Sequence, residues 1–397
     1  MKKLFITGTA RGGTSVISKM LNTNTNVGVI NSAYLEIFRL YRNAIIKKMN
    51  SRIDIDTFKN NPFSDYYYND KSIKILDYIL NFSSDININK NFWKIHEAYI
   101  KKRLSIQNKD LVKDIKQIYS YKISKILDNC FNYAAKKRSL KNKKILGILD
   151  HWQIELFKPL AKLFSDAKFI VIVRDPRASM LSNLAVKKKS WIANPMSFVR
   201  NWRKMIDILI YYQSLKIFKG RLYILKFENI AKDPSNECKK LCKFLKVPFQ
   251  KNMINTKIYK EESTGKIWTG NSSFNKKAMG FSILRNYKWK KKINKKQLNS
   301  VNFIAYHHLK TMGYVTKKFN IKQDIRKHID FFLNEYKKKR NWNTHSGNIE
   351  LDIGAEIFKN IFINHYKKNH IIDKKLLRRF FLFEKNLNFI LNKKLFS

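Results

Sequence analysis

Carboxylates are scarce in this chain. Its 397 residues set 29 aspartates and glutamates against 81 lysines and arginines, a formal charge of +52. Such an excess attracts anions: nucleotides, acidic glycans, nucleic acid or an anionic membrane surface. The lysines are spread along the chain among abundant Asn and Ile, so charge alone does not single out nucleic acid. Cysteine is scarce too. Cys130, Cys238 and Cys242 do not suggest a disulfide framework. Cys238 and Cys242 share one helical face with Leu241 and Leu245 and read as buried thiols rather than a metal pair. Long apolar runs are missing, and none approaches the ~20 residues of a membrane span. Lys2 and Lys3 resemble the start of a signal peptide, but Thr7, Gly8 and Arg11 interrupt the apolar stretch that would have to follow. A cytoplasmic protein is expected. Internal repeats are absent, and a hydrophobic content of 44% supports a packed core.

What is present is an alternation of strands and helices. Residues 3–7 (KLFIT) read as a buried strand, and Val16, Ile17, Met20 and Leu21 share a face of the helix that follows. ILGIL at 145–149 and RLYILKF at 221–227 read as further strands. KFIVIV at 168–173 is an almost unbroken run of the kind found in central parallel strands covered on both faces. Helices are predicted over 153–164, from Asp175-Pro176 onward with proline in the first turn, and over 195–218, 234–246 and 294–312. Residues 34–140 read as helix-like. The pattern predicts an α/β fold: a P-loop-like parallel sheet flanked by helices, in a catalytic domain of residues 1–316 with a helical insertion at about 35–141. Residues 317–397 read as a basic, weakly patterned helical extension, suited to a partner or a membrane surface.

Two stretches carry chemistry. In FITGTARGGTS (5–15) a strand runs through a glycine-rich turn into a helix, a geometry that aims backbone N–H groups and a helix N-terminus at an anion. Gly12 and Gly13 permit close approach, and Thr14 and Ser15 add hydroxyls. A Walker A loop needs lysine where Thr14 stands, and the one cation in the loop is Arg11. In IVIVRDPRASMLS (170–182), Arg174 ends a strand and Ser182 lies eight residues later, both suited to the crevice where open α/β sheets bind ligands. Taken alone, Arg174 fits a salt bridge with Asp175 equally well.

Together these stretches resemble the sulfotransferase superfamily, whose members use 3′-phosphoadenylyl sulfate. In that family a loop matching Arg11-Gly12-Gly13-Thr14-Ser15 holds the 5′-phosphosulfate, and an Arg–Ser pair matching Arg174 and Ser182 holds the 3′-phosphate. LKFENIAKDP (225–234) with CKKLCKFLKVPF (238–249) resembles the segment after the 3′-phosphate motif, and WTGNSSF (268–274), NYKW (286–289) and MGY (312–314) resemble the segment covering the sulfate donor. The similarity spans residues 3–34 and 142–316. It implies sulfuryl transfer without a metal. A phosphosulfate is no triphosphate and needs no bridging Mg²⁺, which fits the missing lysine.

The resemblance implies a catalytic base as well. Members use either a glutamate shortly after the first helix, where this chain has Asn31-Ser32, or a histidine after the strand preceding the 3′-phosphate motif. Here that strand ends in DHWQ, and His151 lies 23 residues before Arg174. The lysine usual at that strand end is absent, with Leu149 and Asp150 in its neighbourhood, which leaves Arg11 as the cation for the bridging oxygen. His151 is therefore expected as the base, with Glu36 and Asp150 in reserve. The acceptor would be a hydroxyl or amine of a glycan or glycolipid. Trp93 and Tyr66–Tyr68 in the insertion suit a sugar, or equally an aromatic core. His307 and His308 read as surface or packing residues. Two alternatives stay open: a P-loop kinase or NTPase, and a basic protein binding nucleic acid or a membrane surface.

Overall fold

A computed structural model describes residues 1–9, 11–49, 70–113, 115–151, 153–184, 195–270, 281, 287–315, 349–369, 373–392 and 395. In chain order the elements are β1 (Lys2–Gly8), α1 (Thr14–Asn22), β2 (Val27–Asn31), α2 (Leu35–Met49), α3 (Asp70–Asn81), α4 (Lys90–Gln107), α5 (Ile123–Lys137), β3 (Ile145–Leu149), α6 (Phe157–Leu163), β4 (Lys168–Val173), α7 (Pro176–Leu184), α8 (Pro195–Gln213), β5 (Leu222–Lys226), α9 (Phe227–Lys232), α10 (Pro234–Leu245), α11 (Trp289–Lys292), α12 (Lys295–Thr311), α13 (Ile349–Asn369), α14 (Lys374–Phe381) and α15 (Glu384–Asn392), with short 3₁₀ turns between some of them.

The described residues fall into two compact units. The first holds those of 1–49, 75–174, 215–270 and 281, and the second those of 70–74, 175–184, 195–214, 287–315 and 349–395. The first unit is built on a five-stranded parallel sheet in the order β2-β3-β1-β4-β5. β1 lies in the middle, with Ile6 opposite Leu149 of β3 and Gly8 opposite Ile172 of β4. The chain moves from β1 toward one edge and later from β4 to the other, so the strand order reverses between β1 and β4.

Both faces of β1 are buried, as its run of apolar residues requires. Leu4 and Ile6 pack with Ile17, Met20 and Leu21 of α1 and with Cys238, Leu241 and Cys242 of α10. Phe5 points the other way into an aromatic layer with Phe38, Phe131, Phe164 and Phe169, at centroid distances of 5.6 to 6.3 Å. The expected strands and the helix starts at Thr14, Pro176 and Pro234 are found within a residue or two. β2 is a strand that the sequence did not announce. Five residues with a glycine, between two polar stretches, give too short a period to stand out. The three cysteines are free and buried, as expected.

In the second unit α8 turns charged residues inward. Arg200, Arg203, Lys204 and Asp207 are all buried. Glu356 of α13, fully buried, accepts from Arg203 at 2.9 Å and from Lys359 at 2.6 Å. Asp207 is held by His308 of α12 at 3.0 Å and by Asn386 of α15 at 3.1 Å. The two histidines of α12 are thus buried packing residues. The stretch beyond 316, read from sequence as a weakly patterned appendage, shares its described helices with α8 and α12 in one unit. Charged residues that look solvated in sequence are the ones buried there. In α14 the apolar residues Leu377, Phe380 and Phe381 are buried in this unit. No helix among the described residues is long and apolar enough to cross a membrane.

Candidate functional site

The loop, Asp150, His151 and Arg174 of the first unit all follow the carboxyl ends of its strands. β1 leads into the loop 9–13, β3 into Asp150 and His151, β4 into Arg174, and β5 into Phe227. In the loop, the Gly12 N–H donates to the Thr9 carbonyl at 3.0 Å and closes a tight turn. Arg11 lies inside that turn with φ +61°, a left-handed conformation that costs a non-glycine residue about 1–2 kcal/mol. The Arg174 Nη1 donates to the Arg11 carbonyl at 2.9 Å, directly on the strained residue.

Gly13 follows with φ +91°, and a Cβ there would lie 2.2 Å from the Phe227 ring. At Gly12 a Cβ would fall 2.7 Å from the Thr9 carbonyl oxygen. Glycine is therefore required twice, once by space and once by space and conformation together. Helix α1 starts at buried Thr14 with no side-chain cap and no carboxylate in its first turn. Its N-terminal N–H groups and the positive end of its dipole suit an anion. Burial lowers the pKa of the Arg11 guanidinium, which remains a cation.

His151 is partly buried, and its Nδ1 has no hydrogen-bond partner among the described residues. Burial, and then the charges of Arg103 and Arg11, push its pKa down to about 4, against the pull of a bond to the Gly8 backbone. The imidazole is neutral at physiological pH. Its turn is pinned to β1: the Gln153 N–H donates to Thr7 Oγ1 at 3.2 Å, Gln153 Nε2 to the Ile6 carbonyl at 2.9 Å, and the Asp150 N–H to the same carbonyl at 3.1 Å.

Asp150 is fully buried, and its Oδ2 accepts from the Tyr34 N–H at 2.9 Å, which ties β3 to the start of α2. Burial raises its pKa to about 7, although Arg103 pulls the other way. Glu36, in the first turn of α2, is paired with Arg39 at 2.6 Å.

Arg174 and the loop are brought together in the first unit. The Asp175 carboxylate is bound to Arg177 at 2.7 Å, and it also accepts from the Arg177 N–H at the start of α7. Ser182 lies on α7 in the second unit and is 9% exposed. Trp93 is a core residue, 5.4 Å from the Tyr119 ring, so it is not a sugar platform; Tyr66–Tyr68 lie outside the described residues. Trp268 is buried over Lys19 of α1, whose ammonium is bound to Glu261 at 2.9 Å, and residues 271–274 of the motif it begins lie outside the described residues. Phe227, Gln153 and Thr7 were not singled out from sequence as site residues. Their one signal is position: each stands at or just past the end of a strand.

A glycine-rich loop before a helix, at the point where a parallel sheet reverses its order, defines an α/β protein of the phosphate-binding kind. The sequence profile of the sulfotransferase family matches residues 3–251, well over half of the chain, and the chain belongs to that family. Three solved structures are similar. The sulfotransferase domain of the Synechococcus PCC 7002 olefin synthase is 14% identical, with a TM-score of 0.43, over 83% of this chain and 94% of that one. The sulfotransferase domain from the curacin biosynthetic pathway is 16% identical, with a TM-score of 0.44, over 76% and 96%. Sulfotransferase STF9 from Mycobacterium avium is 12% identical, with a TM-score of 0.34, over 73% and 75%. No curated protein matches the sequence.

Proposed function

We propose that the chain transfers a sulfuryl group from 3′-phosphoadenylyl sulfate to a hydroxyl or amine of an acceptor, a glycan or glycolipid. The observation that carries this reading is the convergence of the 9–15 loop, Arg174 and His151 at one end of the β1, β3 and β4 strands. In it, Arg11, Gly12, Gly13, Thr14 and Ser15 hold the phosphosulfate, and Arg174 with Ser182 takes the 3′-phosphate. His151 removes the acceptor proton as the new S–O bond forms and the S–O bond to phosphate breaks. Arg11 meets the charge that gathers on the departing phosphate. With no lysine in the loop, catalysis rests on positioning and on fixed positive groups.

Two measurements test the reading. Calorimetry should find that adenosine 3′,5′-bisphosphate binds equally well with and without Mg²⁺, and that ATP binds far more weakly; tighter, Mg²⁺-dependent ATP binding would point to the kinase or NTPase alternative. A transfer assay with labelled sulfuryl donor against glycans, lipids and small phenols then identifies the acceptor class.

The loop gives a second expected result. Gly13→Ala forces a Cβ into the Phe227 ring at a left-handed residue. Bisphosphate affinity should fall at least about tenfold, the equivalent of ~1.4 kcal/mol, and the thermal midpoint should fall with it, since a Cβ at a left-handed residue is strained. An unchanged affinity would show that the loop is a turn and not the anion cradle.

A further inference from the structure

The sequence resemblance gives Arg174 one task, a contact with the sulfuryl donor's 3′-phosphate. The structure gives it another partner. Its Nη1 donates to the carbonyl of Arg11, the residue whose backbone is left-handed, and its guanidinium lies 4.8 Å from the centroid of the Phe227 ring. The same ring fills the space beside Gly13, so close that a Cβ there would overlap it. One aromatic side chain therefore touches both the last residue of the loop and the cation that holds its strained residue. Strain of this kind persists where the surroundings enforce it, and it is found where a loop must be preorganised.

We propose that Phe227 and Arg174 form a brace that keeps Thr9 and residues 11–13 in the anion-binding conformation, which makes Phe227 a positioning residue for the bound sulfuryl donor. The proposal rests on the reading of this loop as the phosphosulfate cradle. Its mechanical half, that the ring and the guanidinium hold the loop, stands without any ligand. Phe227 confines Gly13 by filling the space beside its Cα, and it holds the guanidinium by a cation–π contact. Arg174 then fixes Arg11 by its hydrogen bond. The 5′ and 3′ ends of the nucleotide would thus be read by coupled parts. The consequence departs from the simple expectation: loss of Arg174 should weaken a ligand that has no 3′-phosphate at all.

The test uses the full chain and three variants, Phe227→Leu, Phe227→Tyr and Arg174→Ala. Amide exchange of the peptide spanning residues 9–13 is followed in the nucleotide-free protein. Phe227→Leu should speed exchange at Gly12 about tenfold, because the turn bond to Thr9 opens more often, while Phe227→Tyr restores the ring and the slow rate. Calorimetry with adenosine 5′-monophosphate and with adenosine 3′,5′-bisphosphate follows. Phe227→Leu should weaken both ligands by the same factor, about three- to tenfold, the range expected for a lost cation–π contact and a less preorganised loop. Arg174→Ala should weaken both, the bisphosphate more.

Unchanged exchange in Phe227→Leu overturns the brace. So does faster exchange with unchanged affinity, because the loop conformation then does not govern binding. A loss confined to the bisphosphate in Arg174→Ala overturns the coupling to Arg11. If the wild-type chain binds neither nucleotide, the reading of the sulfuryl donor fails and the brace's role in binding goes with it, while the exchange rates still decide whether the loop is held this way.

Discussion

Glu356→Ala should cost the second unit about 3–5 kcal/mol of stability, the effect of removing one partner from a buried ion pair. Glu356 is fully buried on α13 and accepts from Arg203 at 2.9 Å and Lys359 at 2.6 Å. Removing it leaves two buried cations without that carboxylate. A unit of ordinary stability, on the order of 5–15 kcal/mol, would be brought close to unfolding. Burial pushes the Glu356 pKa up, but Arg203, Lys359 and Arg200 more than cancel this and hold it at about 2, below its ordinary 4.5. A carboxyl whose folded pKa is depressed stabilises the fold above its unfolded pKa, and the contribution is lost as pH falls through the folded value. Urea unfolding followed by circular dichroism should show wild-type stability dropping as pH falls from 4.5 toward 2, with this slope missing in the variant. A difference below about 1 kcal/mol, the size of an exposed pair, would mean that the cluster is solvated. The same measurement bears on truncation. A chain ending near residue 317 would lack Glu356, Lys359 and Asn386, and α8 would keep Arg203 and Asp207 without them.

The sheet was legible where apolar residues run unbroken. KFIVIV and ILGIL can satisfy both faces of a strand only in a parallel sheet covered by helices, and they form β4 and β3. The glycine loop was legible for a similar reason: two adjacent glycines between a strand and a helix restrict what the backbone can do. β2 was missed because VGVIN is too short for a period to emerge. The buried charges of the second unit were not legible because a hydropathy pattern counts Arg203, Asp207, Glu356 and Lys359 as surface, whereas here Glu356 pairs with Arg203 and Lys359, and Asp207 with His308, in the interior. Phe227 could not be identified from sequence, since its importance lies in touching Gly13 and Arg174, residues far from it in the chain. Trp93 was open to two readings, sugar platform or core, and only burial decides between them.

His151→Ala should lower kcat by about 10²–10⁴, the usual contribution of a positioned general base, and leave bisphosphate affinity nearly intact. The pH profile separates His151 from its rivals. Burial, Arg103 and Arg11 push the His151 pKa down to about 4, so the imidazole is already in its basic form across the neutral range. If it is the base, kcat/KM should stay level from pH 8 down to about 5 and fall below that as the ring takes up a proton. A base at Asp150, whose pKa burial raises to about 7, would instead place the break near neutrality. Asp150 is also poorly placed to meet an acceptor, being fully buried with Oδ2 bound to the Tyr34 N–H. The sulfuryl donor adds a further shift. Its negative charge beside the ring favours the imidazolium, so the break in kcat, which reports the loaded enzyme, should lie at higher pH than the break in kcat/KM for the free one. Glu36→Gln, which removes the carboxylate now paired with Arg39, serves as the control. The assignment fails if His151→Ala keeps near wild-type turnover while Glu36→Gln abolishes it, or if the kcat/KM break sits near 7 and disappears in Asp150→Asn.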